Sequence, residues 1–108
     1  MTSPFFSQLD CTHKNIFPGV DIFTAAGKEM MLSFVDLKKG AVVELHSHPH
    51  EQVGRVLKGR LHFFVGDADQ VLGTGEMYVI PGDVPHRVIA LEDSEAIDIF
   101  HPVREDYV

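Results

Sequence analysis

Three histidines and a glutamine fall within seven residues, His46, His48, His50 and Gln52 in the string HSHPHEQ. Side chains on a strand alternate faces, so His46 and His48 are expected to point the same way, one pleat repeat apart. Two neutral imidazoles side by side make a metal chelate that needs further ligands from elsewhere in the chain. The stretch lies between two glycines that read as turns, Gly40 and Gly59. That arrangement predicts a rigid metal site on a strand scaffold.

The elements that must hold such a site are short and strand-like. β-Branched and apolar runs occur at 20–26, 30–37, 41–46, 52–57, 61–65, 71–72, 77–80, 86–91 and 96–100, and all but 41–46 end near Gly, Pro, Asp or Lys. Many short strands with turn signals between them predict an all-β barrel or sandwich, and no segment offers a long 3.6-residue apolar period. Parity places His86, Val88 and Ala90 on one face of a late strand. It places Asp98 and Phe100 on one face of the last strand, with Ile97 and Ile99 on the other. A carboxylate alternating with large apolar residues is costly if buried without a partner, so Asp98 faces either solvent or a polar pocket.

At 108 residues the chain is expected to form one domain over residues 1–108. The formal charge of −7 and the lack of a basic cluster beyond Lys38-Lys39 oppose binding to a phosphate backbone. The lone Cys11 excludes an internal disulfide and fits a reducing compartment. No apolar run approaches a membrane span, and the first ten residues do not read as a signal peptide, so the expectation is a cytoplasmic protein without membrane contact.

Gly40, His46, His48, Gln52 and Gly59 together resemble the first motif of the cupins, and Gly75, Pro81 and His86 in GEMYVIPGDVPH resemble the second. The resemblance covers roughly residues 30–100. It implies a small double-stranded β-helix of the jelly-roll class, with a divalent metal held inside by His46, His48, Gln52 and His86. Glu51 is the rival for the fourth place, but its parity opposes that of the histidines and the motif spacing selects Gln52. His50 falls at no motif position and is expected at the rim. Three departures stand out: Gln52 replaces the usual glutamate, Asp83 stands where a glycine is expected, and Ala90 where an asparagine often closes the motif. A neutral amide leaves a divalent ion its full charge, which favours Lewis-acid chemistry over oxygen activation. Ni or Zn would suit the imidazoles, with Fe or Mn still open.

The ending AIDIFHPVREDYV is similar to that of the pectin-degradation cupins of the KdgF type. This resemblance implies an enzyme that linearises unsaturated monouronates from pectin or alginate, with a small acidic sugar as substrate. It assigns roles to Asp98, Phe100 and Arg104. Asp98 is expected to transfer protons, Arg104 to grip the substrate carboxylate with its planar fork, and Phe100 to pack on the unsaturated ring. An iron-dependent cupin dioxygenase and a non-catalytic binding module are the alternatives. Arg55, Arg60 and Arg87 are expected outside the lumen, and His13, His62 and His101 in solvated or packing roles. Apolar residues of the opposite parity, including Val53, Leu57, Ile97 and Ile99, predict a greasy outer face and hence a homodimer.

Overall fold

The computed structural model describes residues 3–108. Ten strands form two antiparallel sheets: β1 (Thr12–Phe17), β2 (Val20–Ala26), β3 (Met31–Leu37), β4 (Val42–His46), β5 (Glu51–Lys58), β6 (Arg60–Val65), β7 (Ala68–Gly73), β8 (Met77–Ile80), β9 (His86–Ala90) and β10 (Ser94–His101). The larger sheet runs β1-β2-β3-β10-β5-β8 and the smaller β4-β9-β6-β7. This is the all-β jelly-roll barrel expected. Only two short 3-10 turns, Gln8–Asp10 and Glu105–Tyr107, accompany the strands among the described residues. No helix there is long and apolar enough to cross a membrane.

Strand β1 lies outside the nine expected runs. Its sequence THKNIF has no apolar alternation, because it is an edge strand paired on one side only, and its first two residues are exposed. Elsewhere alternation is regular: Val20, Ile22 and Thr24 on β2, Met31, Ser33, Val35 and Leu37 on β3, and Ser94, Ala96, Asp98 and Phe100 on β10 all point inward and are buried.

Register then stacks the inward residues in rows across β3, β10, β5 and β8. Val35, Ala96 and Val56 form an apolar row. The next row is Ser33, Asp98, Gly54 and Tyr78, and the next Met31, Phe100, Gln52 and Ile80. The barrel interior therefore grades from a hydrophobic floor to a polar end. Val20, Ile22, Val56 and Leu61, almost wholly buried, belong to the floor's cluster, and burial of each such side chain contributes about 1.5–3 kcal/mol. A rigid floor is what lets polar groups above it hold fixed positions.

Candidate active site

The polar end of the barrel gathers His46, Gln52, His86, Asp98, Phe100 and Arg104 around one cavity. His46 ends β4 and stands directly opposite His86 on β9, with ring centroids 4.2 Å apart. His48 joins them at 5.5 Å from His46 and 4.9 Å from His86. One ligand atom from each of the three lies within 4.8 Å of the others.

His48 reaches this position differently from the strand alternation expected of it. Strand β4 ends at His46, and His48 sits in the turn before β5. The turn is held from outside by the loop before β9, where the Asp83 N–H donates to the His48 carbonyl at 2.8 Å. Gly82 passes so close that a Cβ there would lie 2.5 Å from the Pro49 carbonyl oxygen. Asp83 itself adopts φ 66°. The glycine-type conformation therefore persists without the glycine, in a residue type that tolerates the left-handed region better than most.

The ring nitrogens are sorted by backbone carbonyls. His46 Nδ1 lies 2.7 Å from the Glu44 oxygen, His48 Nδ1 3.1 Å from the His50 oxygen and His86 Nδ1 2.9 Å from the Val84 oxygen. A carbonyl only accepts, so each Nδ1 carries the proton and each Nε2 keeps its lone pair. The Nε2 atoms of His48 and His86 are buried without a hydrogen-bond partner. Burial, then the positive charge of Arg104 and the neighbouring imidazoles, lowers His48 to about 4. Burial likewise lowers His86, against the opposing pull of its bond to Val84. Unprotonated nitrogens with no partner are costly when empty-handed and fit a metal ion, so the trio can hold one.

Gln52 is buried in the row between Phe100 and Ile80. Its side-chain amide lies near enough to the Asp98 carboxylate to favour the charged form of that group. The amide NH2 is the only donor it has, which leaves the carbonyl oxygen as the face available to an ion. Glu51 is exposed and pairs in register with His101. His50 stands beside His48 at a ring distance of 5.5 Å, and its carbonyl accepts the His48 bond.

Asp98 is inward and buried, and burial pushes its carboxyl up to about 6. The hydrogen bond from Tyr78, the nearby Gln52 amide and the charge of Arg104 oppose that rise without cancelling it. A carboxyl poised near neutrality can both take and give a proton. Phe100 presents its ring to the same cavity, edge-on to His48 at 5.7 Å.

Arg104 is buried, with its guanidinium 3.8 Å from the centroid of Tyr107 and 5.1 Å from that of Phe100. One edge of its fork is taken: Nε and Nη2 donate to Asp106 at 3.3 and 2.8 Å. Burial works against the Asp106 carboxylate, but the bond and charge of Arg104 outweigh it and hold the group below its ordinary range. Asp106 thus fixes the Nε–Nη2 edge of the fork. The Thr24 hydroxyl donates to the Tyr107 carbonyl at 2.8 Å and so ties the C-terminal turn to the barrel.

Three further polar residues line the cavity that sequence patterns did not single out: Tyr78, Tyr107 and Ser33. Ser33 is fully buried and its Oγ has no partner. Tyr78 had one sequence signal, an amphipathic aromatic between the exposed Met77 and Val79 on a strand. The remaining histidines and arginines lie elsewhere. His13 pairs with Asp21, His62 with Asp69, and His101 is exposed. Arg60 approaches Glu92, Arg87 stacks over Phe64, and Arg55 lines a groove on the outer face.

Residues 33–100 match the family model described as "Cupin domain". The pectin degradation protein KdgF of Dickeya dadantii is 32% identical over 82 residues, covering 74% of each chain. The crystal structure of an RmlC-like cupin from Shewanella frigidimarina superimposes with a TM-score of 0.90 at 29% identity, covering 99% of this chain and 97% of that one. KdgF from a Halomonas species gives a TM-score of 0.89 at 31% identity, with 99% and 100% covered.

Proposed function

The chain belongs to the cupin domain family, and from that premise we propose that it is a metal-dependent enzyme that linearises 4,5-unsaturated monouronates by ring opening and tautomerisation. The observation that carries the reading is the buried Asp98 carboxyl, set at about 6, in the same cavity as His46, His86 and Arg104, with His48 completing the histidine trio beside them. Two similar proteins bear the name KdgF, one of them described as a pectin degradation protein.

The reaction balances without an oxidant. The Asp98 carboxylate takes the proton of the C1 hydroxyl. The C1–O5 bond breaks, C1 becomes an aldehyde, and O5 becomes an enolate oxygen on the C4–C5 double bond. The same carboxyl returns its proton to C4, and C5 becomes the ketone. One group thus serves as base and then acid, which a pKa near the working pH favours. Arg104 holds the C6 carboxylate on its free edge. Phe100 packs on the flat unsaturated ring and excludes water. His46, His48, His86 and Gln52 would hold a divalent ion, with Ni or Zn best suited to the imidazoles, and when bound it would supply Lewis-acid charge to a developing oxyanion.

The test is the ultraviolet absorbance of the conjugated double bond in an unsaturated monouronate. Metal-loaded protein is expected to abolish it faster than the spontaneous reaction, without oxygen uptake, and chelator to remove the acceleration. Oxygen consumption would favour a dioxygenase instead. Tight binding with no turnover would leave a binding module. A homodimer in the cytoplasm belongs to the same proposal, with the chain acting as one domain.

A further inference from the structure

Tyr78 takes no part in the steps above, yet its hydroxyl donates to Asp98 Oδ1 at 2.5 Å. The two residues are not on adjacent strands. Gly54 of β5 pairs with Tyr78 of β8 on one side and with Asp98 of β10 on the other. Neighbouring strands lie about 4.8 Å apart, so the two backbones stand roughly twice that distance from each other. The side chains meet because the residue between them has none. A Cβ on Gly54 would overlap both Asp98 Oδ1 and the Tyr78 phenol. The glycine is required here by space, since its φ is not in the left-handed region.

We propose that Tyr78 is a positioning residue, which reaches across Gly54 to fix the plane of the Asp98 carboxylate and to keep the transferred proton off Oδ1. Burial and the adjacent carboxylate push the Tyr78 phenol well above its ordinary range. It therefore remains the donor, and Asp98 the acceptor, throughout the working range. With Oδ1 engaged, the proton from C1 and the proton to C4 both travel by way of Oδ2. This proposal rests on the reading of Asp98 as the proton-transfer group.

The rival role for Tyr78 is packing, since its ring lies against Phe63 with centroids 4.2 Å apart. Tyr78→Phe separates the two, because it keeps the ring and removes only the O–H. With metal-loaded protein and an unsaturated monouronate, kcat is expected to fall about ten- to hundred-fold, the scale of a lost hydrogen bond to a charged group. KM is expected to change less than about twofold, with metal content retained. In an Asp98→Asn background the same substitution is expected to alter the residual rate less than about twofold, because the side chain that Tyr78 positions no longer transfers a proton. Gly54→Ala, whose Cβ would push the Tyr78 phenol and the Asp98 carboxylate apart, is expected to lower kcat similarly, with unchanged circular dichroism and metal content in each variant guarding against misfolding. A loss below tenfold in these variants, or an equal loss in both backgrounds, overturns the proposal. Inactive wild-type protein would instead sink the uronate reading on which it depends.

Discussion

Asp98 lines the cavity and His48 belongs to the histidine trio beside it, and the two respond to pH with opposite sign. Burial raises Asp98 to about 6, from an ordinary 3.8. A carboxyl raised on folding contributes stability that is fully present below 3.8 and lost as pH rises through about 6. His48 is lowered from 6.5 to about 4. Its contribution is present above 6.5 and lost as pH falls through about 4. At pH 8 the protein therefore keeps a buried anion that strains the fold, the state that can accept a proton. Asp98→Asn removes that charge while leaving an oxygen for Tyr78. In metal-free protein the variant is expected to be more stable than wild type at pH 8, by up to about 3 kcal/mol. At pH 4, where Asp98 is largely protonated, the gain should nearly vanish. Urea unfolding at the two pH values measures both, and a gain of equal size at each would show that Asp98 is not buried as an anion.

At the scale of elements, the loop before β9 acts on the metal site through the turn that carries His48. Asp83→Gly is expected to change thermal stability little, since relief of the left-handed strain is offset by the greater freedom of glycine in the unfolded chain. Asp83→Val keeps the demand for positive φ in a β-branched residue and should cost about 1–2 kcal/mol. Gly82→Ala is expected to displace the Pro49 carbonyl and weaken metal binding, measured by competition with a chromophoric chelator. Unchanged affinity would mean that this contact does not set the position of His48. Much of this was legible in the chain. Alternation put Asp98 and Phe100 on one face, the ending's resemblance turned that face to the pocket, and the two motifs brought His86 to His46 and His48. Local patterns missed what depends on register between distant strands. Tyr78 meets Asp98 only because β8, β5 and β10 align with a glycine between them. The route of His48 was also hidden, since a turn, not a strand, delivers it. Edge strand β1 left no mark because pairing on one side demands no apolar alternation.

Across the whole molecule, the outer face of the larger sheet is unusually apolar. Leu32 is 39% exposed, Ile99 42%, Val79 62% and Met77 68%, and they line one groove with Val53 and Ile97. A contiguous patch of this kind is expected to be covered by a second copy of the chain. Sedimentation at micromolar concentration should give twice the chain mass of 12.0 kDa. The pair Val79→Glu and Ile99→Glu should return it to the monomer, and a wild-type monomer would contradict the assignment. Neither outcome touches the interior, where the polar end of the barrel stands on its own floor. Proton NMR of an unsaturated monouronate incubated with metal-loaded protein reads the chemistry of that interior. The expected product is a linear 5-keto uronate with a methylene at C4, formed well above the spontaneous rate by wild type and near the spontaneous rate by Asp98→Ala. Equal rates for wild type, Asp98→Ala and buffer would contradict that expectation.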